Sequence, residues 1–180
     1  MAIRKIARLG HPILRCKSSP LSSDEISSLE TKNLIRDMLE TVLDAEGQGL
    51  AAPQVYEPKQ IVLLDLDDGE GFRVWINPVL EPLTDECMIT FEGCLSVPNM
   101  RGAVARFTKL NVRALNEQGQ SFELILQDYP AVIAQHECDH LNGILYVDRV
   151  EPGTLCFLPE YRKFGHLFFE ENEDISSQED

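Results

Sequence analysis

The chain has 180 residues, 43% of them hydrophobic and 26% charged, a composition typical of one globular domain. Its formal net charge of −14 at pH 7 argues against a protein that binds nucleic acid through a broad basic surface. No apolar run approaches the roughly 18 residues needed to span a bilayer. The five cysteines form an odd set without paired spacing, which predicts reduced thiols. We therefore expect a cytoplasmic protein without direct nucleic-acid binding or membrane contact.

The N-terminal segment carries five basic residues before its first acidic residue, Asp24, a charge bias also found in transit peptides. It contains Gly10, His11 and Pro12, and it lacks both a long serine-rich stretch and a secretory apolar core. We therefore expect this segment to belong to the folded body of the protein.

Helical periodicity predicts two helices that lie far apart in the chain. The first covers residues 22–46, where apolar side chains recur at helical spacing, and it should end near Gly47. Its beginning, residues 24–31, is either part of this helix or a separate first turn. The second carries an apolar stripe that includes Val132 and Leu141. The capping residues are Ser22 with Glu25 for the first helix, and Asp128, Pro130 and Gly143 for the second.

Residues 47–54 (GQGLAAPQ) follow the first helix. The glycines and alanines allow close approach of the backbone, and Pro53 prevents the helix from continuing. The stretch fails as a dinucleotide-binding fingerprint because it follows a helix and lacks a third glycine. Taken alone, it indicates a helix-terminating turn.

Short strands dominate the middle of the chain. Glycine-containing turns separate residues 60–66 from 73–79 and residues 109–115 from 121–126, so each of these two pairs should form a hairpin. Two separate helices and strands that pair with near neighbours predict an α+β fold, with mainly antiparallel sheets packed around a central metal-binding helix. The predicted strands are residues 60–66, 73–79, 88–91, 109–115, 121–126 and 144–147.

Residues 135–143 (QHECDHLNG) carry the strongest chemical signal. His136 and His140 are four residues apart, so on a helix they share one face and can bind one ion. Glu137 projects beside them and can hold a water molecule that the ion carries. The alternative is a pair of ordinary core histidines, but the intervening glutamate favours metal chemistry.

A catalytic site of this kind needs three protein ligands and one open position. Cys138 lies two residues from each histidine and therefore points away from their face. Cys94 lies in a tight turn that suits a thiolate ligand, whereas His166 follows His140 by 26 residues, as a third ligand could in zincin proteases. Chemistry alone favours Cys94 without deciding between the two.

Residues 47–54, 92–96 (EGCLS) and 135–143 resemble the three signature motifs of peptide deformylases, in the same order and at similar separations. The resemblance extends from about residue 3 to residue 148 and includes the opening LGHP at residues 9–12. It implies an α+β metalloenzyme that removes the formyl group from the N-terminal methionine of new polypeptides at the ribosome.

The resemblance also implies roles for individual residues. Cys94, His136 and His140 would bind one divalent ion, with iron(II) typical of the family and zinc, nickel or cobalt as substitutes. Glu137 would act as general acid and base, and the Gln54 side chain and the Leu95 N–H would stabilise the oxyanion. Gly49 and Gly93 would bind the peptide through their backbone. Further candidates to contact the substrate are Gln48, Arg101, Tyr129, Val132 and Ile133. For the last three, core packing is the alternative. Glu92 and Asp139 are candidates for orienting the metal ligands.

No repeat or linker divides the chain, so we expect one catalytic domain over residues 1–166. Residues 167–180 contain six acidic and no basic residues, which predicts a disordered tail. Two alternatives remain. One is a zincin-type endopeptidase that uses His166, and the other is a metal-binding module without catalysis, although every residue that the chemistry needs is present.

Overall fold

The structure, a computed structural model, describes residues 2–168. These residues form eight strands, four α-helices and three short 3₁₀ helices. The α-helices are α1 (Ser23–Ser27), α2 (Leu29–Asp44), α3 (Tyr129–Leu141) and α4 (Leu158–Phe164). The strands are β1 (Gly49–Ala51), β2 (Ile61–Asp65), β3 (Phe72–Pro82), β4 (Cys87–Cys94), β5 (Val97–Phe107), β6 (Lys109–Leu115), β7 (Ser121–Gln127) and β8 (Cys156–Phe157). The 3₁₀ helices are Pro12–Arg15, Ala52–Val55 and Tyr146–Asp148.

The predicted first helix is two helices that meet at Ser28. The Ser22 side chain and Glu25 form the predicted capping box at the start of α1. Ser28 has an extended backbone (ψ 151°), and its hydroxyl accepts a hydrogen bond from Thr31 N at 3.2 Å, which starts α2. A side chain that caps a second helix therefore interrupts the apolar periodicity that suggested one continuous helix.

Two antiparallel sheets form the β part of the fold. The larger has the strand order β1-β2-β3-β6-β7, and the smaller has the order β4-β5-β8. Both predicted hairpins are present, and the predicted strand at residues 88–91 extends to Cys87–Cys94. The prediction of an α+β fold with mainly antiparallel sheets is confirmed.

The predicted strand at residues 144–147 is wrong. Leu145 and Tyr146 are both buried, but Tyr146–Asp148 form a 3₁₀ helix. Asp148 instead turns the chain, because its carboxylate accepts a hydrogen bond from Leu145 N at 2.8 Å and its N–H donates to Leu145 O at 2.9 Å. A 3₁₀ helix results.

Helices cover both faces of the larger sheet, and this places α3 at the centre of the molecule. On β2, Val62 and Leu64 pack with the α3 face, while Ile61 and Leu63 pack with the α2 face. This double burial explains why the first four residues of β2, residues 61–64, are all apolar. The smaller sheet also contacts α3, through β5, so α3 lies between the two sheets.

Both ends of the described chain pack on this body. Near the N-terminus, Ala7 and Leu14 are buried against Leu145, as expected for a segment of the folded body. Near the C-terminus, the rings of Tyr161 and Phe168 lie 4.7 Å and 5.1 Å from that of Phe91. The acidic residues of the predicted tail lie outside the described residues. Within residues 2–168, no helix is both long and apolar enough to cross a membrane.

Candidate metal centre

Helix α3 begins and ends close to the predicted residues. Asp128 is its N-cap residue, as predicted, although not through its side chain. The residue has φ 58°, its side chain makes no capping bond, and its carbonyl accepts from Ala131 N at 3.0 Å. Gly143, with φ 71°, ends the helix as predicted. A Cβ at this position would lie 2.7 Å from the carbonyl oxygen of Arg15, so only glycine fits.

Three potential ligand side chains converge between α3 and the end of β4. The ligand atoms of Cys94, His136 and His140 all lie within 4.8 Å of one another, and Cys94 Sγ is 3.3 Å from His140 Nε2. All three residues are at most 9% exposed. Within the described part of the chain, this is the one group of such residues close enough to hold an ion.

The other two ligand candidates lie elsewhere. Cys138 is buried on a different face of α3, and burial raises the pKa of its thiol, so it stays protonated. His166 is exposed beyond α4. The sequence left Cys94 and His166 as alternatives, and the structure brings only Cys94 to the two histidines.

Hydrogen bonds orient the first histidine. His136 Nδ1 lies 2.7 Å from Glu92 Oε2, which leaves its Nε2 atom for an ion. Burial alone would raise the pKa of Glu92, but hydrogen bonds from His136 and Arg106 outweigh it and lower the pKa to about 2. Glu92 is therefore a carboxylate at neutral pH, and it fixes the ring of His136.

Arg106, which the sequence analysis did not identify, links Glu92 to the helix. Its guanidinium donates two hydrogen bonds to Glu92, at 2.7 Å and 3.0 Å, and a third to Asp139 Oδ2 at 2.6 Å. Asp139 also accepts two bonds from Arg149, at 2.7 Å and 2.8 Å. Glu92 and Asp139 thus belong to one buried network behind His136, and Arg106 is its centre.

The electrostatic surroundings of Cys94 favour its thiolate, which is the form that binds a metal. Burial opposes ionisation of Cys94, but the imidazoles of His140 and His136 outweigh it and hold the pKa of the thiol well below its ordinary value. Ser96 N and Gln54 Nε2 both donate hydrogen bonds to Cys94 Sγ, each at 3.4 Å. The surroundings are therefore built for a thiolate.

Glu137 lies beside the three donors and is 6% exposed. Burial raises the pKa of Glu137 to about 7, although the nearby His136 and His140 oppose the rise. Its Oε2 atom is buried without a hydrogen-bond partner. A Cβ on Gly49 would lie 2.3 Å from Glu137 Oε1, so the carboxylate occupies space that only a glycine at this position leaves open.

Hydrogen bonds hold the Gln54 side chain next to Cys94. Its Oε1 atom accepts from Ala51 N at 2.8 Å, which directs Nε2 toward Cys94 Sγ and toward Ser96 Oγ at 3.2 Å. Gln54 is 1% exposed. Leu95 follows Cys94 directly and is half-buried. Ser96, a member of the EGCLS segment that the sequence analysis gave no role, is thus a partner of both Cys94 and Gln54.

The predicted substrate residues fall into two groups. Around the rim, the Arg101 guanidinium covers Gly93, where a Cβ would lie 2.0 Å from Nη1, and Tyr129 donates a hydrogen bond to Gln48 Oε1 at 2.8 Å. Ile133 is buried in the core cluster beneath the larger sheet. Val132 is also buried.

One thiolate and two imidazoles fit a divalent ion. Nitrogen and sulfur ligands at about 2.0 Å and 2.3 Å from one tetrahedral ion stand about 3.5 Å apart. The observed separation of 3.3 Å between Cys94 Sγ and His140 Nε2 is close to that value. Three donors leave a fourth position open, as in catalytic sites, and the donor set suits zinc and iron(II).

Comparisons with known proteins all point to one family. The polypeptide deformylase family model matches residues 3–154. The peptide deformylase of Leptospira biflexa is 41% identical over 186 aligned positions, which cover 98% of this chain and 97% of that protein. The structure of peptide deformylase from Thermotoga maritima aligns with a TM-score of 0.79 at 34% identity, over 84% of this chain and 100% of that chain. The class I type b peptide deformylase from Acinetobacter baumannii bound to Met-Ala-Ser aligns with a TM-score of 0.78 at 36% identity, over 83% and 99% of the two chains.

Proposed function

Because this chain belongs to the peptide deformylase family and is an enzyme of that class, we propose that it hydrolyses the formyl group from the N-terminal methionine of new polypeptides and releases formate. The observation that carries the proposal is the buried group of Cys94, His136 and His140 with Glu137 beside it. The substrates are formylated nascent peptides that leave the ribosome in the cytoplasm.

Cys94, His136 and His140 would hold one divalent ion, and we assign iron(II) on the use of that metal in the family. Such an ion lowers the pKa of water toward about 7, supplies hydroxide at neutral pH and polarises a carbonyl oxygen. The Glu92–Arg106 network fixes His136, and the hydrogen bonds from Ser96 and Gln54 hold the sulfur in place.

Glu137 moves the proton in this proposal. Its carboxylate takes a proton from the attacking water and returns it to the nitrogen of the departing peptide as the carbon–nitrogen bond breaks. The pKa of about 7, caused by burial, suits a group that must both accept and give a proton near neutral pH. Gly49 leaves the space that the carboxylate needs.

Gln54 and Leu95 would stabilise the charge that develops on the formyl oxygen as the carbon becomes tetrahedral. The Gln54 amide is oriented in advance by its bond to Ala51 N, so its Nε2 donor needs no rearrangement. The Leu95 N–H is adjacent to Cys94 and therefore close to the same position. Both donors act most strongly when the oxygen is fully charged, which favours the transition state.

The peptide would bind as an added strand. Gly49 opens β1, which is the edge strand of the larger sheet, so its free edge can pair with an extended peptide. Gly93, near the end of β4, offers backbone on the opposite side of the groove, and Arg101 lies over it. The Gln48–Tyr129 hydrogen bond forms a polar part of the rim. The Acinetobacter relative bound to Met-Ala-Ser supports a groove for a methionine-first peptide.

The zincin-type alternative requires a different third ligand. His166 is exposed and outside the donor group, whereas Cys94 is within it. Substituting His166→Ala should therefore leave the metal content unchanged. Loss of the ion from this variant would favour the protease.

The deciding experiment measures formate release from a formyl-methionyl tripeptide by freshly iron-loaded protein under anaerobic conditions. We expect turnover with the formylated peptide and none with the same peptide lacking the formyl group. Cleavage of an internal peptide bond would favour the endopeptidase, and metal binding without any turnover would favour a binding module.

A further inference from the structure

The N-terminal segment crosses all three segments that build the candidate site. Ala7 N donates a hydrogen bond to Gln54 O, and Leu9 N donates one to Ser96 O, both at 2.8 Å. Further along, Ser18 N donates to Leu141 O, also at 2.8 Å, at the end of α3. One stretch of chain thus ties the Gln54 turn, the turn after Cys94 and the metal-binding helix together.

Arg8 lies between the first two of these bonds, and its guanidinium donates a hydrogen bond to Leu95 O. This carbonyl and the Ser96 N–H belong to the same peptide group. The Ser96 N–H in turn donates to Cys94 Sγ at 3.4 Å. A positive charge on Arg8 is therefore connected to the candidate ligand sulfur through a single amide.

An amide whose oxygen accepts a charged hydrogen bond is polarised, and its N–H becomes a stronger donor. A stronger donor withdraws electron density from the thiolate that accepts it. No carboxylate of the described residues neutralises Arg8. Within the described range, seven of the ten arginines pair with carboxylates, and Arg8 is not one of them, although the chain has 30 acidic residues.

We propose that Arg8 is a positioning residue for the deformylation site. It holds the Leu95–Ser96 peptide group in place and, through that group, tunes the Cys94 thiolate as a metal ligand. The inference rests on the proposed function only in taking Cys94 as a metal ligand. The N-terminal segment then contributes to the chemistry through its contacts with the backbone of the site.

The test compares three variants loaded with cobalt(II). Arg8→Met keeps the length of the side chain and removes the charged donor, while Arg8→Lys keeps a charge. Arg113→Met is the matched control, because Arg113 is an exposed arginine on β6 that pairs with Glu81 at 3.7 Å. Two readouts are used, namely the energy of the sulfur-to-cobalt charge-transfer band and the kinetic constants kcat and KM for a formyl-methionyl tripeptide.

In Arg8→Met, weaker donation to the sulfur should move the charge-transfer band to lower energy. The kcat should fall about threefold to tenfold, as expected for one charge-assisted hydrogen bond acting through an amide, while KM changes little. Arg8→Lys should restore part of both effects, and Arg113→Met should match the wild type.

An unchanged band in Arg8→Met, at full cobalt content, would overturn the inference, as would an equal shift in Arg113→Met. If the wild-type protein itself shows no sulfur-to-cobalt band, the proposed Cys94 ligand is wrong, and the inference fails with it. A shifted band together with an inactive wild-type enzyme would separate the two ideas, since it would support the role of Arg8 and contradict the proposed activity.

Discussion

Replacing Gly49 by alanine tests how tightly the site is built around Glu137. The added Cβ would lie 2.3 Å from Oε1 and 2.5 Å from Cδ of Glu137, whereas real Cβ contacts stay beyond 3.0 Å. The carboxylate must therefore retreat by at least 0.7 Å, the difference between 3.0 Å and 2.3 Å. A displacement of about 1 Å at a reacting group can cost roughly 10²-fold in rate, so we expect kcat to fall by roughly 10- to 10²-fold.

The assay measures formate release, with metal content and thermal unfolding as controls for integrity. Glu137→Asp supplies a second control, because a shorter side chain withdraws the carboxylate from the added methyl group. Gly49→Ala should therefore cost much less in the Glu137→Asp background than in the wild type, a non-additive result. An equal loss in both backgrounds would mean that the methyl group obstructs the peptide, and the reasoning about Glu137 would be refuted.

Three further predictions concern the ligands and the residues that support them. Cys94→Ala should abolish stoichiometric metal binding while Cys138→Ala retains it, as metal analysis after dialysis will show, and equal loss from both would contradict the ligand assignment. Gln54→Leu should lower kcat by roughly 10²-fold or less with little change in KM. Gln54→Glu should lower kcat further, because a carboxylate repels the oxyanion. Full activity in Gln54→Leu would contradict a role for this residue in the mechanism. Arg106→Met removes the guanidinium that pairs with the buried Glu92 carboxylate, so chemical denaturation should give a loss of about 3–5 kcal/mol in unfolding free energy and titration a 10- to 100-fold weaker metal affinity. Unchanged values in both measurements would contradict the network.

The sequence predicted the metal-binding helix well, because its signals are local. The spacing of His136 and His140 fixes a common face, and Gly143 marks the end of the helix through its positive φ. The third ligand is not a local feature. Chemistry left Cys94 and His166 open, and only the family resemblance, and then the convergence of β4 on α3, distinguished them.

The Arg106 network was missed because its strand was missed. Residues 97–107 lack a clear alternation of apolar side chains, since the inward positions beside Val104 are Gly102 and Arg106. Arg106 follows Val104 by two residues, so on a strand the two share one face. A buried arginine on that face requires a carboxylate partner, and this spacing could have indicated the network. The wrong prediction of a strand at residues 144–147 has a different cause. An apolar run can be buried in a turn as well as in a sheet.

The central claim is that Glu137 carries the proton for hydrolysis at a metal held by Cys94, His136 and His140. The most direct test measures metal content and formate release of Glu137→Gln, which keeps the size of the side chain and removes the base. We expect one equivalent of metal and a fall in kcat of about 10²–10⁴-fold, the usual contribution of a positioned proton-transfer group. Near-normal turnover by the metal-loaded Glu137→Gln protein would contradict the claim.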